Sequence, residues 1–430
     1  MSNHSLVSQA ASHVGAGSAR PGGESDTIDG ICPKVVAEPR SAEALTALLG
    51  WASQVELTTS VRGGGTKLDW GGILESVDLV VSTAGLSSVV THRHGDLTAT
   101  VEAGATLADV NETLGAHRQW LPLDPPWADR ATIGGIVATN DTGPSRHRQG
   151  APRDVIIGIT VVRADGELAK AGGIVVKNVA GYDLSRLMTG GFGSLGVVVD
   201  ATFKLAPLAP ASRTVIIELV SIEAMAPIVA DLVSSALTPS AIELQWPPAR
   251  LLVRFESVKS AVESQANEVG RLCAARDPSC RATVYRDGEE STLWHAHASR
   301  WDEPGTLVKV STLTTAIVPT LSWLRDACRD RDVELSAQGR AALGVVDVRM
   351  DGGIETQAQL IRELRDRFDI GDGSAVIRRA VTELRRSVDP WGPIGNGLAV
   401  MQAIKQRFDP VGRLNPGRGP ALLRHPAACS

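Results

Sequence analysis

The sequence predicts an α+β protein built in two parts, and three observations carry that reading. At 430 residues the chain exceeds what a single core usually organises. Its 43 glycines gather at 63–72, 134–150, 172–196 and 412–419 rather than spreading evenly, against an average usage of about 7%. Beyond Ala211 the pattern changes to strands alternating with longer helices, which predicts a separate α+β domain with an antiparallel sheet. Clustered glycine suits backbone that approaches a ligand closely. Turn-rich α/β architecture explains any one cluster equally well.

Composition narrows the function classes. The formal charge is −5, from 43 basic and 48 acidic residues, with no basic stripe interleaved with aromatics, so nucleic acid is not an expected partner. Cys32, Cys273, Cys280, Cys328 and Cys429 form neither a zinc nor an iron–sulfur pattern, no metal site is expected, and an odd, scattered set suits a reducing cytoplasm. No apolar run is long enough to span a membrane. Residues 1–30 are rich in Ser, Gly and Ala and lack a signal-peptide pattern; they read as a disordered tail.

From Lys34 the chain becomes regular. Lys34–Val36 is a short strand, Ala42–Ser53 a helix behind Ser41, and Glu56–Val61 a strand that ends in Arg62-Gly63-Gly64-Gly65-Thr66-Lys67. This βαβ order delivers a glycine loop to the end of a strand, where ligands of α/β sheets collect. Strands follow at Leu79–Thr83, Val89–Val90, Leu97–Ala103, Val155–Arg163 and Gly196–Leu205, with helices at Leu107–Leu114 and Asp183–Met188. In the second part, strands at Val215–Val220, Ala241–Gln245, Leu251–Glu256, Leu307–Thr312 and Val345–Met350 alternate with helices at Ile222–Ser235, Val258–Ala274, Val318–Arg329 and Gln357–Phe368. A last helix, Gly397–Phe408, leads into Asp409-Pro410-Val411-Gly412-Arg413-Leu414-Asn415-Pro416-Gly417-Arg418.

Three motifs carry chemistry. Successive glycines at Gly63–Gly65 expose backbone N–H groups that make a nest for an anion such as a pyrophosphate, although neither the P-loop nor the Rossmann spacing is present. Thr132-Ile133-Gly134-Gly135, followed by Asn140, Gly150, Arg153 and Asp154, pairs a hydroxyl with open backbone; by itself it is equally a turn before a buried strand. The third runs from Lys177-Asn178-Val179-Ala180-Gly181-Tyr182-Asp183-Leu184 to Gly193-Ser194-Leu195-Gly196-Val197-Val198.

In their order these motifs resemble the FAD-linked oxidases related to vanillyl-alcohol oxidase. More narrowly, KNVAGYDLSRLM and FDPVGRLNPGR are similar to the E subunit of bacterial glycolate oxidases. The resemblance covers Lys34–Leu208 and Gly397–Arg418. It implies a two-subdomain, PCMH-type FAD-binding domain over 31–208, a smaller cap or substrate domain over 211–395, and a C-terminal segment, 396–420, returning to the first. It also implies that Arg62, Gly63, Gly64, Gly65, Thr66, Lys67, Thr132, Ile133, Gly134 and Gly135 clasp the FAD pyrophosphate. Asn140, Arg153, Asp154, Gly196, Val197 and Val198 are implied along the rest of the cofactor.

Two departures from the family matter. Many relatives attach the flavin through a histidine in or near the glycine loop; this loop has none, so FAD is expected to be non-covalent, with His92 and His94 at the surface. Catalytic relatives flank a Gly-Asp-Gly-Asn motif with histidines that bind metal or act as base. This chain has Asp369-Ile370-Gly371-Asp372-Gly373-Ser374 without them. His295 and His297 read as the only histidines of the second domain, both exposed. Lys309, Arg349 and Arg378 are candidates to meet the carboxylate of a small 2-hydroxy acid. Function is therefore expected to be that of an FAD subunit in a glycolate oxidase or dehydrogenase, with a catalytic flavin subunit and an iron–sulfur subunit as partners. The alternatives are a self-sufficient 2-hydroxy-acid dehydrogenase and a non-catalytic assembly subunit. The cytoplasm is the expected location, with any membrane attachment made through partners.

Overall fold

The computed structural model describes residues 2–174, 182–368 and 371–420; Lys177–Gly181 of the third motif, Asp369-Ile370 and Cys429 lie outside the described residues. The chain divides into two compact units. The first takes the chain up to Thr142, Ala151–Leu208 and the stretch from Ile394 on; the second takes Gly143–Gly150 and Ala209–Pro393.

The first unit contains two main sheets and a two-stranded ribbon, Gln119–Trp120 paired with Ala206–Pro207. One main sheet has four strands in the order Ala19–Pro21, Val35–Ala37, Leu79–Ser82, Thr59–Arg62. The last three run parallel, joined by the helix Ala42–Gln54. Its core is the apolar face of that helix (Leu45, Leu48, Leu49) against Val35, Leu79 and Val81. Ser41 starts the helix by accepting the amide of Ala44. The second sheet is antiparallel, in the order Val89–Arg93, Thr98–Glu102, Val197–Lys204, Ile156–Val162, Leu168–Gly172. It has its own core, with Val101, Phe203 and Ile159 packed on Leu107, Val110, Leu114 and Ile136. Two cores in one unit make two subdomains.

Residues 2–30 depart from the expected disordered tail. Asn3–Val14 is a helix whose Leu6, Ala10 and Val14, spaced by four, are buried in the core of the parallel sheet. Trp51 Nε1 donates to Gln9 Oε1 at 3.1 Å, and Ala19–Pro21 pairs with Val35–Ala37. Ser, Gly and Ala content hid a helical apolar stripe that is only three residues long.

The second unit is an eight-stranded antiparallel sheet in the order Arg281–Tyr285, Ala211–Glu218, Arg250–Ser257, Ala241–Trp246, Glu334–Arg340, Val345–Asp351, Thr306–Thr312, Gly373–Arg379. Strands Arg281–Tyr285, Glu334–Arg340 and Gly373–Arg379 were missed because arginine, glycine and serine interrupt their alternation. One sheet face is apolar and buried under the helices Met225–Ser234, Lys259–Arg276, Ile317–Arg329 and Ile354–Asp366. The alternate residues point to the opposite face and are strongly polar, as period-two alternation requires. The helix Asp287–Ser299 covers part of this polar face. Its Glu290 accepts from Ser212 Oγ (2.6 Å) and Thr214 Oγ1 (2.7 Å), and Trp294 Nε1 donates to Thr214 Oγ1 at 2.9 Å.

Candidate functional site

A cleft of about 770 Å³ opens in the first unit. Its walls are the glycine loop Gly63–Leu68, the Thr132–Gly135 turn, the Phe192–Gly193 turn, the start of the strand Val197–Lys204, and Asn415 with Arg418. Gly63 and Gly64 are needed for packing. A Cβ on Gly64 would stand 1.7 Å from the Arg130 carbonyl oxygen, and one on Gly63 would stand 2.1 Å from Thr132 Oγ1. The first two glycine motifs therefore press directly against each other, and each closes the other's backbone.

Lys67 and Arg418 are the cations of the cleft. The buried Lys67 ammonium lies 3.3 Å from Asp141 Oδ2, donates to Thr66 Oγ1 at 3.2 Å, and sits 5.7 Å and 5.8 Å from the rings of Trp70 and Trp127. Val61, Leu68, Ala103, Ala138, Phe192 and Val198 supply an apolar surface for a flat ring. A cleft with bare backbone, two buried cations (Lys67 and Arg418) and an apolar surface suits a flavin dinucleotide.

Of the residues nominated from sequence, Gly63, Gly64, Gly65, Thr66, Lys67, Thr132, Gly134, Gly135, Gly196, Val197 and Val198 line this cleft. Five do not. Arg62 turns away to Asp26, donating Nη1 to Oδ1 at 2.9 Å. Ile133 is fully buried as core. Asn140 ends the helix Ile133–Thr139 in left-handed backbone and accepts from the Arg153 amide, and Asp154 caps Ala151. Those residues brace the turn and do not line the cleft.

Asn415 was quoted from sequence and not nominated. It is the residue that ties the cleft together: Oδ1 accepts from Ser60 Oγ (2.8 Å) and the Val61 amide (3.3 Å), and Nδ2 donates to the carbonyls of Phe192 (3.1 Å) and Gly193 (3.0 Å). Lys405 anchors the same C-terminal segment, its buried ammonium donating to Asp409 Oδ2 (2.5 Å) and to the carbonyls of Ser194 (2.7 Å) and Leu414 (3.0 Å).

The second unit has its own constellation on the polar sheet face. Lys309 stands opposite Asp347 on the neighbouring strand, and Asp347 stands opposite Gln338 on the next. Asp347 accepts from Arg340 Nη2 (2.8 Å) and lies 3.2 Å from Arg378 Nε. Arg378 also packs on the ring of Trp301, 5.4 Å away. Lys309 has no hydrogen-bond or ion-pair partner among the described residues. Enclosure by protein pulls its ammonium down to about 7; Arg378, Arg146 and Arg340 push the same way and Asp347 opposes them. Arg349, the third nominated residue, pairs with Glu303 (3.1 Å) and donates to Ser336 Oγ (3.1 Å).

Histidines differ from expectation. His295 is exposed, but His297 is buried: Nδ1 meets Gln245 Nε2 at 2.7 Å and Nε2 lies 3.3 Å from Glu243 Oε2. On a helix, positions i and i+2 face different ways, so only one of the two reaches the sheet. Because Gly143–Gly150 belongs to the second unit, His147 is a third histidine there. Its segment, Arg146–Gln149, packs on the strand Ala241–Trp246. His147 Nδ1 is buried without a hydrogen-bond partner, and burial lowers the imidazole's pKa against the pull of Glu243. Only its place in the fold identifies it. In the first unit, His94 is exposed and His92 is half-buried against Gln119 Oε1 at 2.8 Å.

The comparisons with known proteins bear on both units. Residues 33–172 match the FAD binding domain, and residues 390–418 match the C-terminal domain of FAD linked oxidases. The glycolate oxidase subunit GlcD of Bacillus subtilis is 26% identical, covering 90% of this chain and 88% of that protein. A D-2-hydroxyglutarate dehydrogenase of Xanthomonas citri pv. viticola is 26% identical over 90% of this chain and 89% of its own. The glycolate oxidase subunit GlcE of Escherichia coli is 28% identical over 77% and 84%. Among solved structures, 4-ethylphenol oxidase from Gulosibacter chungangensis superposes with a TM-score of 0.78 at 15% identity, covering 99% of this chain and 98% of that one. A p-cresol methylhydroxylase with bound substrate gives 0.72 at 14% identity, over 97% and 96%.

The fold is that of the vanillyl-alcohol-oxidase and PCMH type. The chain carries an FAD binding domain and the C-terminal segment of FAD linked oxidases, and its cofactor is FAD.

Proposed function

We propose that this chain oxidises a small 2-hydroxy acid to the 2-oxo acid, as glycolate to glyoxylate, working as the FAD subunit of a glycolate-oxidase-type assembly. Lys309 carries the reading: an unpaired, desolvated ammonium on the polar sheet face favours an acid's carboxylate as its missing partner. Arg378, held by Asp347 and Trp301, adds a second, fixed cation. His147 is suited to take the hydroxyl proton, because its imidazole stays neutral and keeps Nδ1 free. Bound FAD supplies the hydride acceptor. Its site residues would be the Gly63–Lys67 loop, Thr132, Gly134, Gly135, Gly196, Val197 and Val198. In this reading FAD is held without a covalent bond, as the glycine loop Gly63–Lys67 carries no histidine.

The names of the two glycolate oxidase subunits support an assembly of more than one subunit; in this reading a second flavin subunit and an iron–sulfur subunit provide the electron exit, in a cytoplasmic complex. A self-sufficient dehydrogenase is the second reading, favoured by the presence of both Lys309 and His147 in one unit of one chain. Mixing the purified, flavin-loaded chain anaerobically with glycolate or lactate separates the readings. Bleaching of flavin by the lone chain supports chemistry within it, and steady turnover with a dye makes it self-sufficient. Bleaching only after partners are added removes Lys309 and His147 from catalysis.

A further inference from the structure

The charge on the polar sheet face exceeds what one carboxylate needs. Two cross-strand rows lie side by side there. Gln338, Asp347 and Lys309 form one; Ser336, Arg349 and Leu307 form the next. They are two residues apart along each strand, hence roughly 7 Å. A pocket of about 240 Å³ touches both, with Arg300, Glu303, Arg349, Ser336, Gln338 and Asp347 in its wall and Lys309 and Arg378 outside that wall.

Arg300 is the unusual member. Its side chain forms no ion pair or hydrogen bond among the described residues. Burial lowers its guanidinium's pKa; Arg349 and Arg250 push the same way, and Glu303 alone opposes them. Glu303 is already engaged by Arg349 at 3.1 Å, and Asp347 by Arg340 and Arg378. The face therefore holds two partnerless, desolvated cations, Lys309 beside one row and Arg300 beside the other. An enclosed cation without a partner costs stability, and a bound anion removes that cost.

We infer that this face is a two-ended clamp for a 2-hydroxy acid carrying a second carboxylate, a short hydroxydicarboxylate. The inference rests on the 2-hydroxy-acid reading above and replaces glycolate, a monocarboxylate, by a hydroxydicarboxylate as the preferred substrate. One carboxylate meets Lys309 and Arg378, and the distal one meets Arg300 with Arg349. A monocarboxylate satisfies only one end and leaves Arg300 bare, so the second cation discriminates between the two acid classes as well as adding affinity.

Calorimetric titration of the full-length, flavin-loaded protein with glutarate and with butyrate tests the clamp without requiring turnover. Glutarate should bind at least about tenfold more tightly. Arg300→Gln should bring the two affinities together, Arg300→Lys should keep most of the preference, and Arg349→Gln should weaken it, in variants whose melting and flavin content match the parent. Equal affinity in the parent, or a preference that survives Arg300→Gln, overturns the clamp. Dye-coupled kcat/KM for malate and 2-hydroxyglutarate against glycolate and lactate then separates the two readings. Oxidation of the monocarboxylates at equal or better efficiency removes the clamp and leaves the oxidase. Glutarate binding without flavin reduction by any of the four acids, partners included, removes the oxidase.

Discussion

Asp26 accepts one hydrogen bond from Arg62 at 2.9 Å and two from Arg20, at 2.6 and 2.7 Å, with its carboxylate almost fully buried. Arg62 is the last residue before the glycine loop, so the amino-terminal segment fixes the loop's starting point. The Arg20 hydrogen bond first, with the Gly23 amide and Arg62 behind it, holds the Asp26 carboxyl well below the usual carboxylate range despite its burial. A depressed folded-state value means stability that is present above the unfolded carboxyl pKa, about 4, and lost as pH falls below it. Asp26→Asn should therefore cost about 1–3 kcal/mol at neutral pH, and the difference from the parent should begin to narrow below about pH 4 and shrink progressively as pH falls towards the much lower folded-state value. Urea midpoints at pH 7 and about pH 2 check this; an equal deficit at both would rule out the ionic account.

The contact of Gly64 with Arg130 gives a sharper test. Gly64→Ala places a methyl group 1.7 Å from a carbonyl oxygen, so the loop or the Thr132 turn must move. Flavin content after purification should drop severely, with a stability loss of about 2 kcal/mol or more. Gly115→Ala is the control: a Cβ there meets nothing within 4 Å, and the change should be neutral or slightly stabilising. Retention of full flavin by Gly64→Ala would show that the loop is more tolerant than its packing implies.

Asn415 makes four hydrogen bonds across the cleft, from the strand Thr59–Arg62 to the Phe192–Gly193 turn. Asn415→Ala should weaken FAD binding by about tenfold or more, by leaving Ser60 and two carbonyls unpartnered. Asn415→Asp should be nearly as damaging, because a carboxylate cannot donate to those carbonyls. Equilibrium dialysis of FAD against the apoprotein reads both, and a parent-like affinity in Asn415→Asp would limit the residue's role to the Ser60 side.

Legibility in the sequence followed the physics of each part. The flavin cleft was readable because its backbone must be bare: Gly63–Gly65, Gly134–Gly135 and Gly196 leave a linear trace. The side chains that brace it, Asn415 from the far end of the chain and Asp26 from the amino-terminal segment, act over separations of 354 and 36 residues, which no local pattern encodes. Arg62 looked like a phosphate ligand because it adjoins the loop, yet a buried carboxylate claims it. In the second unit, the strands whose inward faces carry Val and Ile were read correctly. Those whose alternate residues carry Arg340, Arg378 and Gln338 were not, because the polar face breaks the apolar signal that marks a strand. The segment Gly143–Gly150 was assigned to the wrong unit, and with it the unpartnered His147.

Lys309 links acid binding to pH. Its ammonium is pulled down to about 7, so above that pH the free protein presents a neutral amine. A carboxylate beside it favours the charged form and raises the pKa, so binding between about pH 7 and 9 takes up a proton. Affinity for the acid should fall as pH rises through about 7, and titrations in buffers of different ionisation enthalpy should show the uptake. Lys309→Met should abolish both the uptake and most of the binding, while stabilising the empty protein. The sign follows from linkage: the folded value lies below the ordinary 10.5, so the unfolded chain binds more protons from about pH 7 to 10.5. The cost of burying the charged amine is full below about pH 7 and fades as pH rises through that window. Lys309→Met should thus melt about 2–4 °C above the parent at pH 6.5 and near it at pH 10. A variant that melts below the parent at both pH values would make Lys309 a packing residue, and would leave the sheet face without its acid-binding cation.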